Sequence, residues 1–274
     1  MFHFSLKIGF LAAITGLLYS SVAHAEPQTY FDTAASIEAP INSGRFGAAM
    51  DCSVGSETGG TSYIAIGAPD ANSGAGAVYI YEAGASPTLV QTINGTGSYN
   101  FGTSVAFVND FTGDNRQDLV VGELNSGLNI YRSTGSAPPF ANCGQSSQGS
   151  GTDGFAKTMA SRRAWGTTPV RLFVGAPDMD QIYGYNFDYS GGICGTLGGL
   201  GFDLQGTLGT GFGTAISTMS ADFDGDSEPE IVVGGPISNF GGVTVADSNS
   251  DFRIAANVGE SRYGAGVGAY WLSP

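Results

Sequence analysis

Short apolar runs, rich in β-branched residues, recur along this chain, and each of them ends at a glycine. Runs of this kind predict strands that are buried on both faces. The four glycines are Gly67, Gly122, Gly175 and Gly234. Prolines stand two residues after three of these glycines, at Pro69, Pro177 and Pro236. They predict the ends of the strands, because proline cannot donate to the ladder of a sheet.

An aromatic residue followed by a small one precedes each of these glycines by 20 to 22 residues. The pairs begin at Phe46, Phe101, Phe155, Phe212 and Tyr263, at intervals of 55, 54, 57 and 51 residues. A third apolar strand is predicted at residues 77–81, 128–131, 181–185 and 243–245, and a fourth at residues 89–93 and 252–254. The chain is therefore predicted to be an all-β protein of stacked four-stranded repeats.

Acidic residues are concentrated just before the last of these glycines. Positions 1, 3, 5 and 9 of a nine-residue loop are held by Asp222, Asp224, Asp226 and Glu230. The backbone carbonyl of Glu228 adds an oxygen at position 7, and Gly225 permits a sharp bend. Because Ca²⁺ takes about six to eight oxygen ligands, this spacing predicts a calcium loop.

The same pattern precedes the second glycine. There, positions 1, 3, 5 and 9 are held by Asp110, Thr112, Asp114 and Asp118, and the carbonyl of Arg116 stands at position 7. Two loops with matching ligand positions favour metal binding over a pair of solvated acidic turns. The first and third repeats lack the loop, since Tyr63 and Arg171 stand at the place of Asp118.

Together these landmarks resemble the FG-GAP repeat of the β-propeller in integrin α-subunits and its bacterial relatives. The resemblance spans residues 36–271, and it includes an intact Gly-Ala-Pro motif at residues 67–69. It implies a β-propeller of four-stranded blades, with each acidic loop holding Ca²⁺ between the first two strands of its blade. The third repeat departs from the pattern, with Ala156 in place of the glycine.

The repeat count also departs from that family, which usually closes its ring with more than four blades. Residues 35–41 resemble a fourth strand, and residues 263–272 resemble a first strand. They predict one partial blade built from both ends of the chain. The alternatives are a truncated copy of a larger propeller and a ring that is completed by a second chain.

The N-terminus predicts export. Lys7 precedes an apolar stretch at residues 8–18, and Ala-His-Ala at residues 23–25 is a small-x-small cleavage site. Residues 1–25 are therefore predicted to be a signal peptide and residues 26–274 the propeller domain, in a secreted, periplasmic or cell-surface location. The apolar stretch is too short to span a bilayer, so no membrane span is expected in the mature chain.

Three cysteines remain after the predicted cleavage, Cys52, Cys143 and Cys194, and they allow one internal disulfide. Cys143 with Cys194 is the favoured pair, because both lie in glycine-rich connections. The histidines, His3 and His24, both belong to the predicted signal peptide, which excludes a zinc site or a histidine-based triad in the mature chain.

The charge of the chain narrows the range of partners. A net charge of −14 argues against binding of nucleic acid and suits a protein that holds cations. We therefore expect an exported calcium-binding propeller that acts as a binding or adhesion module for a protein or a glycan, and not as an enzyme. A structural surface protein that self-associates and a propeller hydrolase are the alternatives, because a fold does not define a ligand.

Overall fold

The computed structural model describes residues 36–40, 43–53, 60–97, 99–147, 153–162, 171–188, 194, 196–206, 211–218, 222, 229–235, 242–246 and 251–255. All the strands named below belong to the compact unit Ile37–Pro274. The predicted signal peptide at residues 1–25 and the predicted strand at residues 263–272 lie outside the described residues.

The described strands form four antiparallel sheets, each of four strands that pair in chain order. Blade 1 consists of β1 (Ala49–Cys52), β2 (Tyr63–Ala68), β3 (Ala77–Glu82) and β4 (Thr88–Asn94). Blade 2 consists of β5 (Phe101–Val108), β6 (Asp118–Glu123), β7 (Gly127–Ser133) and β8 (Phe140–Ser147). Blade 3 consists of β9 (Thr158–Arg162), β10 (Arg171–Ala176), β11 (Gln181–Asp188) and β12 (Thr196–Gln205). Blade 4 consists of β13 (Ala215–Thr218), β14 (Ile231–Gly235), β15 (Gly242–Ala246) and β16 (Asp251–Ala255).

These sheets are the blades of a four-blade β-propeller. The first strands of successive blades are neighbours, since β5 contacts both β1 and β9, and β9 contacts β13. Helical structure among the described residues is confined to α1 (Ala71–Gly74) and a 3₁₀ turn (Pro177–Met179), each between the second and third strands of its blade. No described helix is long and apolar enough to cross a membrane. The prediction of an all-β propeller with four full blades is confirmed.

The N-terminal half of the predicted partial blade differs from expectation. Residues 36–40 are described and form no strand. Ile37 instead packs against an apolar cluster of blade 1 that includes Ile66 and Tyr79. The carbonyl of Pro40 accepts a hydrogen bond from the backbone N–H of Ser43, at 3.2 Å. The segment therefore turns towards the first blade, and the side chain of Ile37 is partly buried there without a strand pairing.

Burial explains the composition of the strands. Every residue of β6 is buried, whereas Ile93 is the buried residue of the outer strand β4. Apolar side chains from facing blades form the core at each described junction, where burying one such side chain contributes about 1.5–3 kcal/mol. Blades 1 and 2 enclose Val78, Ile80, Val105 and Val121; blades 2 and 3 enclose Leu128, Ile130, Leu172 and Val174; blades 3 and 4 enclose Ile182, Ile231 and Val233.

The next-to-last residues of the second strands are glycines, which let neighbouring blades approach each other closely. A Cβ added at Gly67 would lie 2.1 Å from the carbonyl oxygen of Gly102, and one at Gly175 would lie 2.3 Å from that of Gly213. Gly102 and Gly213 follow the aromatic residues of the next blades and have positive φ values of 86° and 93°. Gly67 and Gly175 are therefore required because a side chain would not fit, whereas Gly102 and Gly213 are favoured because of their left-handed backbone conformation.

Ala156 takes the corresponding place between blades 2 and 3. It keeps the left-handed conformation, with φ of 62°, which costs a non-glycine residue about 1–2 kcal/mol. Its methyl group is fully buried in the core between these blades. The third repeat therefore departs from the glycine in sequence but preserves the geometry.

Side-chain hydroxyl groups also form hydrogen bonds across two of these blade junctions. Ser104 donates from Oγ to the carbonyl of Ala156 at 2.6 Å, and Thr158 donates from Oγ1 to that of Gly213 at 2.7 Å. Ser104 pairs with Gly122, and Thr158 pairs with Gly175, the next-to-last residues of the second strands of their own blades. The first strand of one blade thus holds the opening turn of the next.

A disulfide joins the outer strands of blades 2 and 3. Cys143 in β8 is bonded to Cys194, which precedes β12, with a Cα–Cα distance of 5.4 Å. The pairing favoured from the sequence is confirmed, and Cys52 is an exposed free thiol.

Candidate metal centre

The acidic loop of blade 2 joins the end of β5 to the start of β6. Asp110 lies two residues after β5, and Asp118 is the first residue of β6. The chain reverses between them through left-handed conformations at Gly113, with φ of 83°, and Asn115, with φ of 62°. The spacing that the sequence predicted is therefore realised as a tight turn at one end of the blade.

Asp110 organises this turn through its carboxylate. Its Oδ1 atom accepts hydrogen bonds from the backbone N–H groups of Thr112 at 3.0 Å, Gly113 at 2.6 Å and Asp114 at 3.1 Å. Its Oδ2 atom accepts another from the N–H of Asn115. When a short acidic side chain accepts hydrogen bonds from the backbone N–H groups that follow it, these bonds stabilise a turn in place of helix or sheet hydrogen bonds.

The Thr112 hydroxyl brings three of the predicted ligands together. Its Oγ1 atom lies 3.3 Å from Oδ1 of Asp110 and 3.3 Å from Oδ2 of Asp118. Positions 1, 3 and 9 of the loop thus lie close together around the Thr112 hydroxyl. All three groups present oxygen atoms, which hard cations prefer.

Asp118 is fully buried. Its Oδ1 atom accepts from the N–H of Ser133 at 2.7 Å, and its Oδ2 atom accepts from the N–H of Phe111 at 3.1 Å. Burial raises the pKa of this carboxyl group from 3.8 to about 7, against the two backbone hydrogen bonds, which lower it. In this buried environment, a nearby positive charge would stabilise the ionised form of Asp118.

Asp114, at position 5, has a different partner. Its Oδ1 atom accepts from the backbone N–H of Arg116 at 2.9 Å, and its Oδ2 atom lies 3.3 Å from a guanidinium nitrogen of the same residue. Their side chains are 30% and 48% exposed, respectively. Among the described residues, no three acidic, histidine or cysteine side chains are grouped as a metal centre. Asp114 is the predicted ligand that faces a side-chain cation instead of the other loop oxygens.

Phe111 anchors the loop to the next blade, which sequence reasoning missed. Its side chain is 3% exposed, and its ring stacks on that of Phe187 in β11, with centroids 5.2 Å apart and planes 14° from parallel. The available signal was the phenylalanine at position 2 of both loops, since Phe223 follows Asp222. The loop therefore bridges blades 2 and 3.

The second acidic loop is described only at its ends. Asp224, Asp226 and Glu228 lie outside the described residues, whereas Asp222 and Glu230 lie within them. Glu230 is 3% exposed and directly precedes β14.

A buried arginine from blade 3 reaches this second loop. Arg162 is 4% exposed, and its guanidinium donates to the carbonyl of Pro229. The guanidinium carbon also lies 5.6 Å from the ring centroid of Phe173. A positive charge therefore stands beside the carboxyl end of the loop, a contact that the sequence pattern did not predict.

Comparison with known families agrees with this geometry. A sequence model of the FG-GAP repeat matches residues 101–137, which include β5, the acidic loop, β6 and β7. Comparison with curated proteins gives no match. The matched segment contains the strand pair and the loop in which three predicted ligands converge.

Proposed function

Since this chain is an FG-GAP repeat β-propeller protein, we propose that it is an exported, calcium-stabilised binding module that holds a macromolecule or a glycan and catalyses no reaction. The observation that carries the calcium proposal is the convergence of Asp110, Thr112 and Asp118 at the turn between β5 and β6.

The donor set of this loop fits Ca²⁺. Asp110, Thr112, Asp114 and Asp118 offer side-chain oxygens, and Arg116 offers its carbonyl, which would give a ligand set of the kind calcium prefers. The ion would supply the positive charge that favours ionised Asp118 in its buried position. Asp114 would have to leave Arg116, and an exposed pair of this kind contributes only about 0–1 kcal/mol.

The second site would use the corresponding positions of blade 4. Its ligands would be the side chains of Asp222, Asp224, Asp226 and Glu230 and the carbonyl of Glu228. With four carboxylates against three, this loop should bind calcium more tightly than the loop of blade 2.

Calcium in the blade 2 loop would stabilise the propeller beyond the loop itself. The loop joins β5 to β6, and Phe111 attaches it to Phe187 in blade 3. An ion that binds only the folded state stabilises that state by mass action. We therefore assign calcium a structural role that keeps two blades in register, while loops of the propeller present the ligand surface.

Assembly of copies is a second candidate role, and one observation favours it. The outer strand β4 exposes two neighbouring apolar side chains, Leu89 at 46% and Val90 at 37%. An exposed apolar edge strand invites pairing with another chain. If assembly is the function, the V90K variant should be monomeric by light scattering under conditions where the parent protein is oligomeric.

Isothermal titration with calcium tests the leading proposal. The parent protein should bind two ions, and the D114A and D226A variants should each lose one. D178N is the control, because Asp178 pairs with Lys157 at 3.9 Å and is not one of the predicted ligands. If both loop variants bind calcium like the parent, the calcium proposal is wrong. A glycan and protein array with and without calcium would then address the ligand.

A further inference from the structure

A polar cavity of about 200 Å³ lies between blades 1 and 2, beside the acidic loop. Blade 1 contributes Ser53, Thr61 and Tyr63, and blade 2 contributes Arg116, Gln117 and Ser133. This volume is below the roughly 300–1,000 Å³ of sites for drug-sized ligands, so it suits a single ring better than an extended chain.

The charged group of this lining is the guanidinium of Arg116. One of its nitrogens lies 3.3 Å from Asp114, and its central carbon is so close to Gly135 that a Cβ there would lie 2.6 Å away. The guanidinium therefore rests against the backbone of the turn after β7. A planar guanidinium can bind a carboxylate through two parallel hydrogen bonds.

The other lining groups suit a sugar. Ser53, Thr61 and Gln117 contribute hydroxyl and amide groups to the lining, and the Oγ atom of Ser53 already accepts a hydrogen bond from the N–H of Tyr63, at 2.6 Å. Tyr63 adds an aromatic ring that is held edge-on against Phe140, with ring centroids 5.5 Å apart. A cavity with a guanidinium, several neutral hydrogen-bonding groups and one ring matches the chemistry of a sugar that carries a carboxylate.

We propose that this cavity binds the carboxylate of an acidic sugar through Arg116, and that calcium in the adjacent loop enables this binding by drawing Asp114 away from Arg116. The second half of the proposal rests on the proposed calcium site. Asp114 is both the present partner of the guanidinium and a predicted calcium ligand, so one carboxylate cannot serve both groups fully.

Electrostatics favours the same coupling. The chain has a net charge of −14, and Asp110, Asp114 and Asp118 lie in the loop next to the cavity. These carboxylates repel an anionic ligand until a divalent cation offsets their charge. Coupling between two binding sites is reciprocal, so the sugar should also raise the affinity for calcium by the same factor.

Calorimetric titration with D-glucuronate tests the proposal. In saturating calcium, the parent protein should bind glucuronate, with glucose and N-acetylglutamate at least about tenfold weaker, and in EDTA the affinity for glucuronate should fall at least about tenfold. R116Q should lose glucuronate binding. R45Q should retain it, because Arg45 forms a comparable exposed pair with Asp70, at 3.6 Å, outside this cavity.

The outcomes separate the two proposals. If calcium binds but glucuronate does not, or if R116Q binds glucuronate like the parent, the cavity proposal is wrong and the calcium site stands. Equal affinity in EDTA would refute the coupling, and equal affinity for N-acetylglutamate would refute the sugar. As a check that does not depend on a variant, saturating glucuronate should raise the calcium affinity of the parent protein about tenfold.

Discussion

The junction between blades 1 and 2 allows a sharp test of the propeller geometry through Gly67→Ala. The new Cβ would lie 2.1 Å from the carbonyl oxygen of Gly102, whereas a carbon–oxygen contact normally needs about 3.3 Å or more. Neither atom belongs to a side chain that can rotate away, so the two blades would have to separate by about 1 Å. The substitution therefore opposes the close approach that the repeat pattern encodes.

The expected loss is at the upper end of the range for overpacked sites, about 3 kcal/mol of unfolding free energy. For a domain of this size, that corresponds to a fall in Tm of about 6–12 °C. Urea denaturation followed by circular dichroism would measure the free energy of unfolding, and a thermal melt would check the direction.

Gly84→Ala is the matched control. No atom lies within 4 Å of a Cβ built at Gly84, and its φ is outside the left-handed region. This variant should change stability by no more than about 1 kcal/mol, in the stabilising direction if the unfolded chain is restricted. Equal stability of the two variants would refute the assignment of Gly67 to a packed blade junction.

Four further predictions concern the acidic loop of blade 2 and the disulfide between blades 2 and 3. Excess EDTA should lower the Tm of the parent protein, and added salt should partly restore it by screening the loop carboxylates. The second prediction concerns Asp118 in EDTA, whose pKa is about 7 in the folded protein and 3.8 in the unfolded chain. Because the folded protein therefore binds the proton more tightly, the free energy of unfolding should fall by up to about 4 kcal/mol as pH rises from 4 to 7. D118N should reduce this pH dependence in urea titrations. F111A should lose about 3–5 kcal/mol in urea denaturation, because its buried ring stacks on the next blade. C143S should lose about 4 kcal/mol, as expected for a disulfide that spans 51 residues, whereas C52S, at an exposed free thiol, should melt like the parent.

Local sequence pattern was sufficient to predict the second strands of the blades. The apolar run before Gly122 is β6, and the runs before Gly67 and Gly175 are the cores of β2 and β10. The strands β2 and β10 end one residue before Pro69 and Pro177, as the loss of a donor requires. The apolar run, the glycine and the proline lie within a few residues of each other in the sequence. They could therefore be recognised because they recur in several repeats.

The contacts that place the site were not predictable in the same way. Asp114 faces Arg116 rather than the other loop oxygens, because an oppositely charged side chain lies two residues away. Phe111 finds Phe187, and Arg162 finds Pro229, across blade junctions. Such pairs depend on how the blades are rotated against each other, and one repeat read alone does not contain that information.

The two junctions of blade 2 differ in a way that bears on binding. Towards blade 3, the junction is tied by a Ser104 hydrogen bond, by the Phe111–Phe187 stack and by the disulfide at Cys143. Towards blade 1, Gln91 exchanges two hydrogen bonds with the backbone of Phe140, at 2.8 and 2.9 Å, and the polar cavity lies in the same junction.

Both junctions therefore hold the walls of the cavity in place while its charged group remains adjustable. Arg116 and Asp114 are partly exposed, whereas Ser133 and Asp118 are buried. A preformed cavity loses little conformational entropy when a ligand enters. Binding there would require a change of partner by one exposed side chain rather than a movement of blades. For this reason, an effect of calcium on the cavity should be transmitted mainly through Asp114, and in EDTA D114N should bind glucuronate more tightly than the parent does.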